Sequence, residues 1–265
     1  MSTLLDRRPT VLRGGEADLI APVMRVPELL VPTRPDGDGN DAVGTFLEVP
    51  CEYGVIDVVH VHFAGRELTR RADGALVAVP ERRLLMTLRI LEREGGVADV
   101  SRLAVLGKIS AGRLTKVVGP LLEARGWVRI AGSTWSLRSA VVSPVVSVVA
   151  VEIKQRDAGR GLGQAGRYAA AAEYVALALG PEGRAEQAVT RAAGAGIGLI
   201  QVLDDGAVTS WQAPRPQPNY DPLARACLAE QLLHMHASGA RSGPVREVFG
   251  RMLTSSGADP RFAGE

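Results

Sequence analysis

The sequence predicts an α/β protein whose core is split along the chain by a second, mainly helical domain. Two stretches, residues 45–63 and 145–155, contain the dense β-branched residues typical of strands. Between them, residues 81–125 show apolar residues at helical spacing. Strands on both sides of a helical segment suggest one sheet built from distant parts of the chain. The expected segments are core residues 1–79 and 140–253, an inserted domain at 80–139, and a disordered tail at 254–265.

Composition limits the class of protein. A chain of 265 residues with 46% hydrophobic content can bury one large core or two smaller ones. The net charge of +2 does not indicate a nucleic-acid partner, so any basic surface must be local. Cys51 and Cys227 match no metal-ligand spacing and fit a reducing compartment. With no signal-peptide pattern and no apolar run of the ~20 residues a membrane span needs, we expect a cytoplasmic protein without a membrane partner.

The first part of the core contains one interrupted helix and two strands. Residues 15–30 have helical spacing but include two prolines, which predicts a short or broken helix. A strand near 45–50 is followed by a turn and a second strand at 55–63. Asp57 stands near the start of that second strand.

The insert reads as three helices followed by a hairpin. The first begins near Glu81, and Ser110 is a plausible cap for the third. The pattern over residues 80–139 resembles the winged helix-turn-helix fold, whose chain ends lie close together and so allow insertion into another domain.

That resemblance implies candidate DNA contacts. Arg113 and Lys116 are three apart on the third helix with Thr115 between them, and such a helix could enter a major groove. Arg129 on the hairpin could contact the backbone as part of a wing. The alternative is a solvated helix face used for protein contacts.

The second part of the core predicts alternating strands and helices. The expected order is a strand at 145–155, an Ala-rich helix at 162–179, a polar helix at 181–196, a strand at 197–205, a further strand near 207–214, and a helix at 221–237.

Two opposite charges interrupt the first of these strands. Glu152 and Lys154 should project from one face with Ile153 turned into the core behind them. Burying a charge is costly unless it is paired or bound to a metal. If the strand with Asp57 pairs alongside, two carboxylates and one ammonium converge, and this set suits Mg²⁺ acting on a phosphodiester.

Two other interpretations of this region remain open. Glu152 and Lys154 could form an exposed cross-strand pair, which contributes little stability. Gly161, Gly163 and Gly166 also spell G-x-G-x-x-G, which favours a nucleotide-binding protein if these glycines form a turn between strand and helix. Against it, charged residues separate the strand from the first glycine, and the acidic ribose partner is misplaced.

An ordered set of residues runs through the predicted core: Asp57, then Glu152-Ile153-Lys154, then Gln164 and Tyr168 four apart on a helix. This order resembles the PD-(D/E)xK nuclease superfamily, in the branch related to phage and recombination exonucleases. The resemblance implies a restriction-endonuclease-like core, with a mixed sheet flanked by helices and the site at one edge.

The resemblance also implies roles. Asp57, Glu152 and the Ile153 carbonyl would hold Mg²⁺ or Mn²⁺, and Lys154 would serve the attacking water. Gln164 and Tyr168 would hold the scissile strand or orient the metal ligands. An upstream glutamate often completes such sites, and Glu16 and Glu48 are the candidates.

The sequence therefore predicts a metal-dependent deoxyribonuclease that a winged-helix domain positions on DNA, in restriction or repair. A cut on both strands would favour a homodimer. The rival hypothesis is a non-catalytic DNA-binding regulator built on a nuclease-like scaffold.

Overall fold

The computed structural model describes residues 15–31 and 41–243. This part of the chain is mixed α/β, with a six-stranded mixed sheet, a separate three-stranded sheet, and helices. The predicted α/β class is therefore confirmed at this level. The tail predicted at 254–265 lies outside the described residues.

The secondary structure alternates along the chain, and the elements are numbered in order. The strands are β1 Ala42–Cys51, β2 Gly54–Phe63, β3 Val97–Asp99, β4 Val128–Ala131, β5 Thr134–Leu137, β6 Val145–Lys154, β7 Tyr174–Leu179, β8 Gly198–Val202 and β9 Val208–Gln212. The α-helices are α1 Glu16–Met24, α2 Gly65–Asp73, α3 Arg82–Arg93, α4 Val100–Gly107, α5 Ala111–Arg113, α6 Gly119–Ala124, α7 Ala158–Tyr168, α8 Ala185–Ala195 and α9 Pro222–Ser238. A 3-10 turn at Pro27–Leu29 follows α1, and a π-helical turn at Leu114–Val118 joins α5 to α6.

The large sheet has the strand order β1-β2-β6-β7-β8-β9. Its centre is parallel from β6 to β8, while β1, β2 and β9 pair antiparallel to their neighbours. The valines of β6 are buried on both faces, as expected for a central strand that helices cover from both sides. Antiparallel pairing of β2 with β6 brings the start of β2 to the end of β6.

Helices cover the two faces of this sheet unequally. On one face, α7, α8 and α9 contribute apolar residues to the largest buried cluster. On the other face, Leu19 and Val23 of α1 pack on a smaller cluster with residues of β6, β7 and β8. The predicted interruption of the first helix is present, because Pro22 lies in the last turn of α1.

Residues 82–137, here called the small module, have a core of their own. It contains α3, α4, the α5 to α6 segment and the sheet β3-β5-β4, and the buried Trp127 and Trp135 lie at its centre. Ser110 caps α5 as predicted, because its hydroxyl accepts a hydrogen bond from the Arg113 amide at 3.3 Å. Gly119 lies so close to Trp135 that a Cβ there would come within 2.6 Å of the ring.

A buried ion pair between α2 and α9 contacts the chain segments that connect the small module to the core. Arg71 of α2 contacts both carboxylate oxygens of Glu230 in α9, and each side chain is at most 4% exposed. Glu230 also accepts from the Val79 amide at 2.9 Å, and Arg71 donates to the Val142 carbonyl at 3.0 Å. Val79 and Val142 lie on the two chain segments that enter and leave the module, so one ion pair contacts both connecting segments.

One prediction for residues 158–179 is wrong, and one alternative interpretation is contradicted. The Ala-rich run forms a helix only to Tyr168 and then the strand β7, because an apolar run buried on both faces fits the parallel centre of a sheet despite its helix propensity. Gly161, Gly163 and Gly166 lie inside α7 rather than in a turn. The strand-to-helix turn that dinucleotide binding requires is therefore not formed by these glycines. The helix α2 and the strand β3 were not predicted.

Two smaller findings bear on the sequence predictions. None of the helices in the described part of the chain is long and apolar enough to cross a membrane. Cys51 and Cys227 are both free thiols.

Replacing Glu230 with alanine should reduce the free energy of unfolding by roughly 3–5 kcal/mol, because Arg71 would keep a buried charge without its partner. Urea denaturation monitored by circular dichroism measures this. The control is Glu94→Ala, which breaks an exposed pair with Arg102 and should shift the midpoint much less. Equal shifts for both variants would contradict the importance of the buried pair.

Candidate active site

The candidate site forms where β2 begins and β6 ends. The strands are in register at Val58 and Val151, which places Asp57 beside Glu152. One carboxylate oxygen of Asp57, Oδ2, accepts a hydrogen bond from the Ile153 amide at 2.8 Å. Asp57 is therefore attached to the D/E-x-K segment through the backbone as well as through the sheet.

Glu152 is a buried charge with two partners. Its side chain is 2% exposed, Oε1 lies 2.6 Å from the Lys154 ammonium, and Oε2 accepts from the Tyr168 hydroxyl at 2.9 Å. As predicted, Glu152 and Lys154 share a face and Ile153 is buried behind them. The alternative of an exposed cross-strand pair is contradicted, because burial removes Glu152 from solvent.

Lys154 is surrounded by oxygen atoms from three residues. Besides Glu152, its ammonium donates to the Ile153 carbonyl at 2.9 Å and lies 3.7 Å from Glu16 Oε2. Glu16 belongs to α1 on the other face of the sheet, and its side chain is half exposed. The structure thus brings the upstream candidate Glu16 to the site.

Glu48 occupies a different position. The pairs Leu47–Val58 and Val49–Ile56 place it across from Asp57, but its backbone has a φ of +48° and it is exposed. A left-handed residue inside a strand turns its side chain away from the regular direction of the pleat. Of the two upstream glutamates, only Glu16 forms an ion pair with Lys154.

The helix α7 supplies Tyr168 and Gln164. Tyr168 is buried, and its hydroxyl lies 2.7 Å from the Val55 carbonyl as well as near Glu152. Gln164, one turn earlier, is half buried, and its Oε1 has no hydrogen-bond partner among the described residues. A buried oxygen without a partner is unusual, and it marks a place where a group from outside the chain could bind.

Burial changes the protonation of this cluster. Desolvation raises the pKa of Asp57 to about 6, and the neighbouring Glu152 carboxylate adds to that effect. The Ile153 amide and the Lys154 ammonium act in the opposite direction. Burial, followed by the Glu152 charge, raises the pKa of Tyr168 well above its usual range, so its hydroxyl stays protonated as a donor.

The oxygen atoms at this edge suit a hard divalent cation. Asp57 and Glu152 offer carboxylates. The Ile153 carbonyl and Glu152 Oε1 both contact the Lys154 ammonium, so these two oxygen atoms converge on one position. Mg²⁺ is commonly held by one or two carboxylates together with waters and substrate phosphates. Residues 15–31 and 41–243 contain no group of three or more His, Cys, Asp or Glu side chains placed to hold a metal ion.

The candidate DNA-contacting residues lie on the small module. Arg113, Thr115, Lys116 and Arg129 are all exposed. The ion pairs made by this module and its neighbours join Arg82 to Glu52 and Asp221, Arg89 to Glu92, Arg102 to Glu94 and Arg125 to Glu81. Within the described residues, Arg113 and Lys116 therefore have no carboxylate partner, and the hydroxyl of Thr115 bonds back to its own helix.

The sequence analysis missed a group of arginines around the same sheet edge. Arg156, Arg160 and Arg167 lie on α7 or in the loop before it, and Arg184 and Arg191 lie at α8; all five are exposed. The signal in the sequence was the basic, glycine-rich run at 156–167. Its G-x-G-x-x-G pattern was interpreted, whereas its arginines were not.

No protein-family model, no curated protein and no solved structure matches this chain.

Replacing Asp57 with asparagine should stabilise the metal-free protein at pH 8. Because folding raises the pKa of this carboxyl from 3.8 to about 6, its ionised form disfavours the folded state above pH 6. The gain should reach up to about 3 kcal/mol, at about 1.4 kcal/mol per pKa unit, and should disappear as the pH falls from about 6 to about 4.

Urea denaturation of both proteins in EDTA between pH 4 and 8 measures this difference. The control is Asp73→Asn, an exposed carboxylate on α2, which should show no such pH dependence. An Asp57→Asn protein that is less stable than the wild type throughout would contradict the raised pKa.

Proposed function

We propose that this protein is a divalent-metal-dependent nuclease that hydrolyses phosphodiester bonds in DNA. One observation carries the proposal: Asp57, Glu152 and Lys154 meet at one sheet edge, with Tyr168 hydrogen-bonded to Glu152. Two carboxylates beside a lysine, mostly withdrawn from solvent, are more than the stability of a sheet edge requires, since buried charges cost free energy to maintain. The order of these residues in the sequence resembles the PD-(D/E)xK nucleases and supports the same reaction.

Each residue has a distinct proposed role. Asp57, Glu152 and the Ile153 carbonyl would hold the ion, which when bound would polarise the phosphodiester and make the attacking water more acidic. Lys154 orients that water or stabilises the negative charge that develops on phosphorus. Tyr168 is a positioning residue, because its hydroxyl holds Glu152 Oε2 at 2.9 Å.

Lys154 would have to leave two of the proposed ligands before they could hold an ion. Its ammonium now contacts Glu152 Oε1 and the Ile153 carbonyl, two of the proposed ligands. Glu16, 3.7 Å from the ammonium, offers a nearby carboxylate that can keep the lysine at the rim of the site. The lysine thus neutralises the buried carboxylate in the absence of the ion and remains within reach of the reacting phosphate.

The small module supports DNA as the substrate. Its helical segments α3, α4 and α5 to α6, together with the sheet β3-β5-β4, are compatible with the winged helix-turn-helix that the sequence resembles, and the exposed Arg113 and Lys116 lie on or next to α5. Positive side chains without carboxylate partners are available for phosphates or for guanine edges. The wing residue Arg129 is exposed as well and adds a backbone contact.

The non-catalytic regulator is the second candidate. It is favoured by the separation of the exposed basic residues of the module from the charged cluster at the sheet edge, since DNA binding by Arg113 and Lys116 does not require an intact Lys154. The two candidates differ in one observable, which is cleavage.

Purified protein should cleave DNA in Mg²⁺ or Mn²⁺ but not in EDTA. Asp57→Asn, Glu152→Gln and Lys154→Gln should each lower the rate at least about 100-fold, the usual effect of removing a preorganised charge from a catalytic site. Asp73→Asn is the matched control and should retain the wild-type rate. Circular and linear substrates, single-stranded and duplex, are compared by gel electrophoresis.

An independent measurement separates metal binding from catalysis. Mn²⁺ should raise the melting temperature of the wild type and of Asp73→Asn, but not that of Glu152→Gln. Intact DNA with every ion and substrate, together with DNA binding that persists in EDTA, would reject the nuclease and leave the regulator.

Neutralising Arg113 and Lys116 together, as Arg113→Gln/Lys116→Gln, should weaken binding to duplex DNA. The slope of log K against log salt should become shallower by about 1.8, at about 0.9 for each phosphate that is no longer neutralised. Fluorescence anisotropy in EDTA measures both quantities. Arg66→Gln, an exposed arginine of α2, is the control. An unchanged slope in the double variant would favour a protein-binding surface on this helix.

A further inference from the structure

A second polar feature lies at the same sheet edge as the candidate site. The loops that follow β6 and β7, together with α7 and α8, enclose a cleft of about 430 Å³. Its lining includes Arg156, Gly159, Leu162, Arg184 and Arg191. Ligands of α/β proteins commonly bind outside the carboxyl ends of parallel strands, and this volume is within the range of ligand clefts.

The charges of the cleft leave two arginines available. Glu182 is neutralised by Arg156 at 2.5 Å, and Asp157 caps α7 by accepting from the Arg160 amide at 2.8 Å. Among the described residues, Arg184 and Arg191 then have no carboxylate partner. Glu182 is thus paired with Arg156, whereas Arg184 and Arg191 remain available for an anion.

The exposed face of α7 between the cleft and the site carries glycines. Gly159, Gly163 and Gly166 are spaced four and three apart, so they share one face of the helix. A Cβ at Gly163 or Gly166 would meet nothing within 4 Å, so packing within the protein does not require glycine there. Each glycine costs up to about 1 kcal/mol relative to alanine in a helix interior. Close approach of another backbone is a reason to retain them.

The arginines of α7 flank this glycine face. Arg160 and Arg167 are exposed, and their helical positions place them on the side toward Gln164, whose buried Oε1 has no partner among the described residues. On the opposite side, the Arg191 guanidinium comes within 3.9 Å of the Cβ position of Gly159. Positively charged side chains therefore lie on both sides of a helix face that carries only glycines.

We propose that the glycine face of α7 and the neighbouring cleft form a track for the sugar-phosphate backbone of the substrate strand. The strand crosses the glycine face and places its phosphates against Arg184 and Arg191. This inference rests on the proposed function, because the track leads from the candidate active site. It names nucleic-acid phosphates, beyond the scissile one, as the ligands of the cleft.

The test measures binding without cleavage. Fluorescence anisotropy of a labelled single strand in EDTA over a salt series is compared for the wild type, Arg184→Gln/Arg191→Gln and Gly163→Leu. The control is Arg66→Gln, since α2 follows the end of β2 that lies away from the candidate site. Removing two arginines that neutralise phosphates should make the salt slope shallower by about 1.4, at about 0.7 for each phosphate of a single strand.

Gly163→Leu separates the track from a general loss of stability. A Cβ at this position meets nothing within 4 Å, and leucine favours a helix more than glycine does, so the melting temperature should not fall. Affinity for the strand should decrease at least about tenfold. A wild-type slope in the double arginine variant, wild-type affinity in Gly163→Leu, or no binding of DNA by the wild type would each overturn the track. If the arginine and leucine effects appear but no ion supports cleavage, the track stands and the nuclease proposal fails.

Discussion

Antiparallel pairing of β2 with β6 is the constraint on which the candidate site depends. These strands are contributed by parts of the chain that the small module separates, and their register brings the first residues of β2 to the last residues of β6. Asp57 adds a direct link, since its carboxylate accepts from the Ile153 amide. A shift of one residue in this register would turn Asp57 to the other face of the sheet and away from Glu152.

The charged cluster at this edge lowers the stability of the folded protein. Desolvation and the charge of Glu152 hold the pKa of Asp57 near 6, which means that the folded protein keeps two carboxylates close together at a cost. Lys154 and Tyr168 offset part of that cost through contacts with Glu152. Such an arrangement is typical of functional sites, where perturbed carboxylates are retained for chemistry rather than for folding.

Local patterns predicted much of this architecture, whereas tertiary effects decided the rest. The alternation of side chains along β6 was sufficient to predict that Glu152 and Lys154 share one face. The order of the motif residues predicted that Asp57 and Tyr168 belong to the same site. The strand β7 could not be predicted, because its Ala-Leu run favours a helix until neighbouring strands bury it on both faces. The pair Arg71–Glu230 was equally inaccessible, since 159 positions separate the two residues. Among the upstream glutamates, Glu16 was the better positional candidate in the sequence, and its Oε2 lies 3.7 Å from the Lys154 ammonium.

The ion pair between Arg71 and Glu230 holds the chain segments that connect the small module to the core, which gives the proposed DNA contacts a defined position relative to the sheet edge. The helix α9 packs against the core of the large sheet and against the core of the module. The proposed reaction depends on an ion bound at the metal site. Crystals grown with Mn²⁺ and a short DNA strand, measured at the manganese absorption edge, show whether such an ion binds there. An anomalous peak between the carboxylates of Asp57 and Glu152, with the Lys154 ammonium displaced from Glu152, is the predicted result. A structure in which DNA is bound and Lys154 still contacts Glu152, with no peak at this edge, would contradict it.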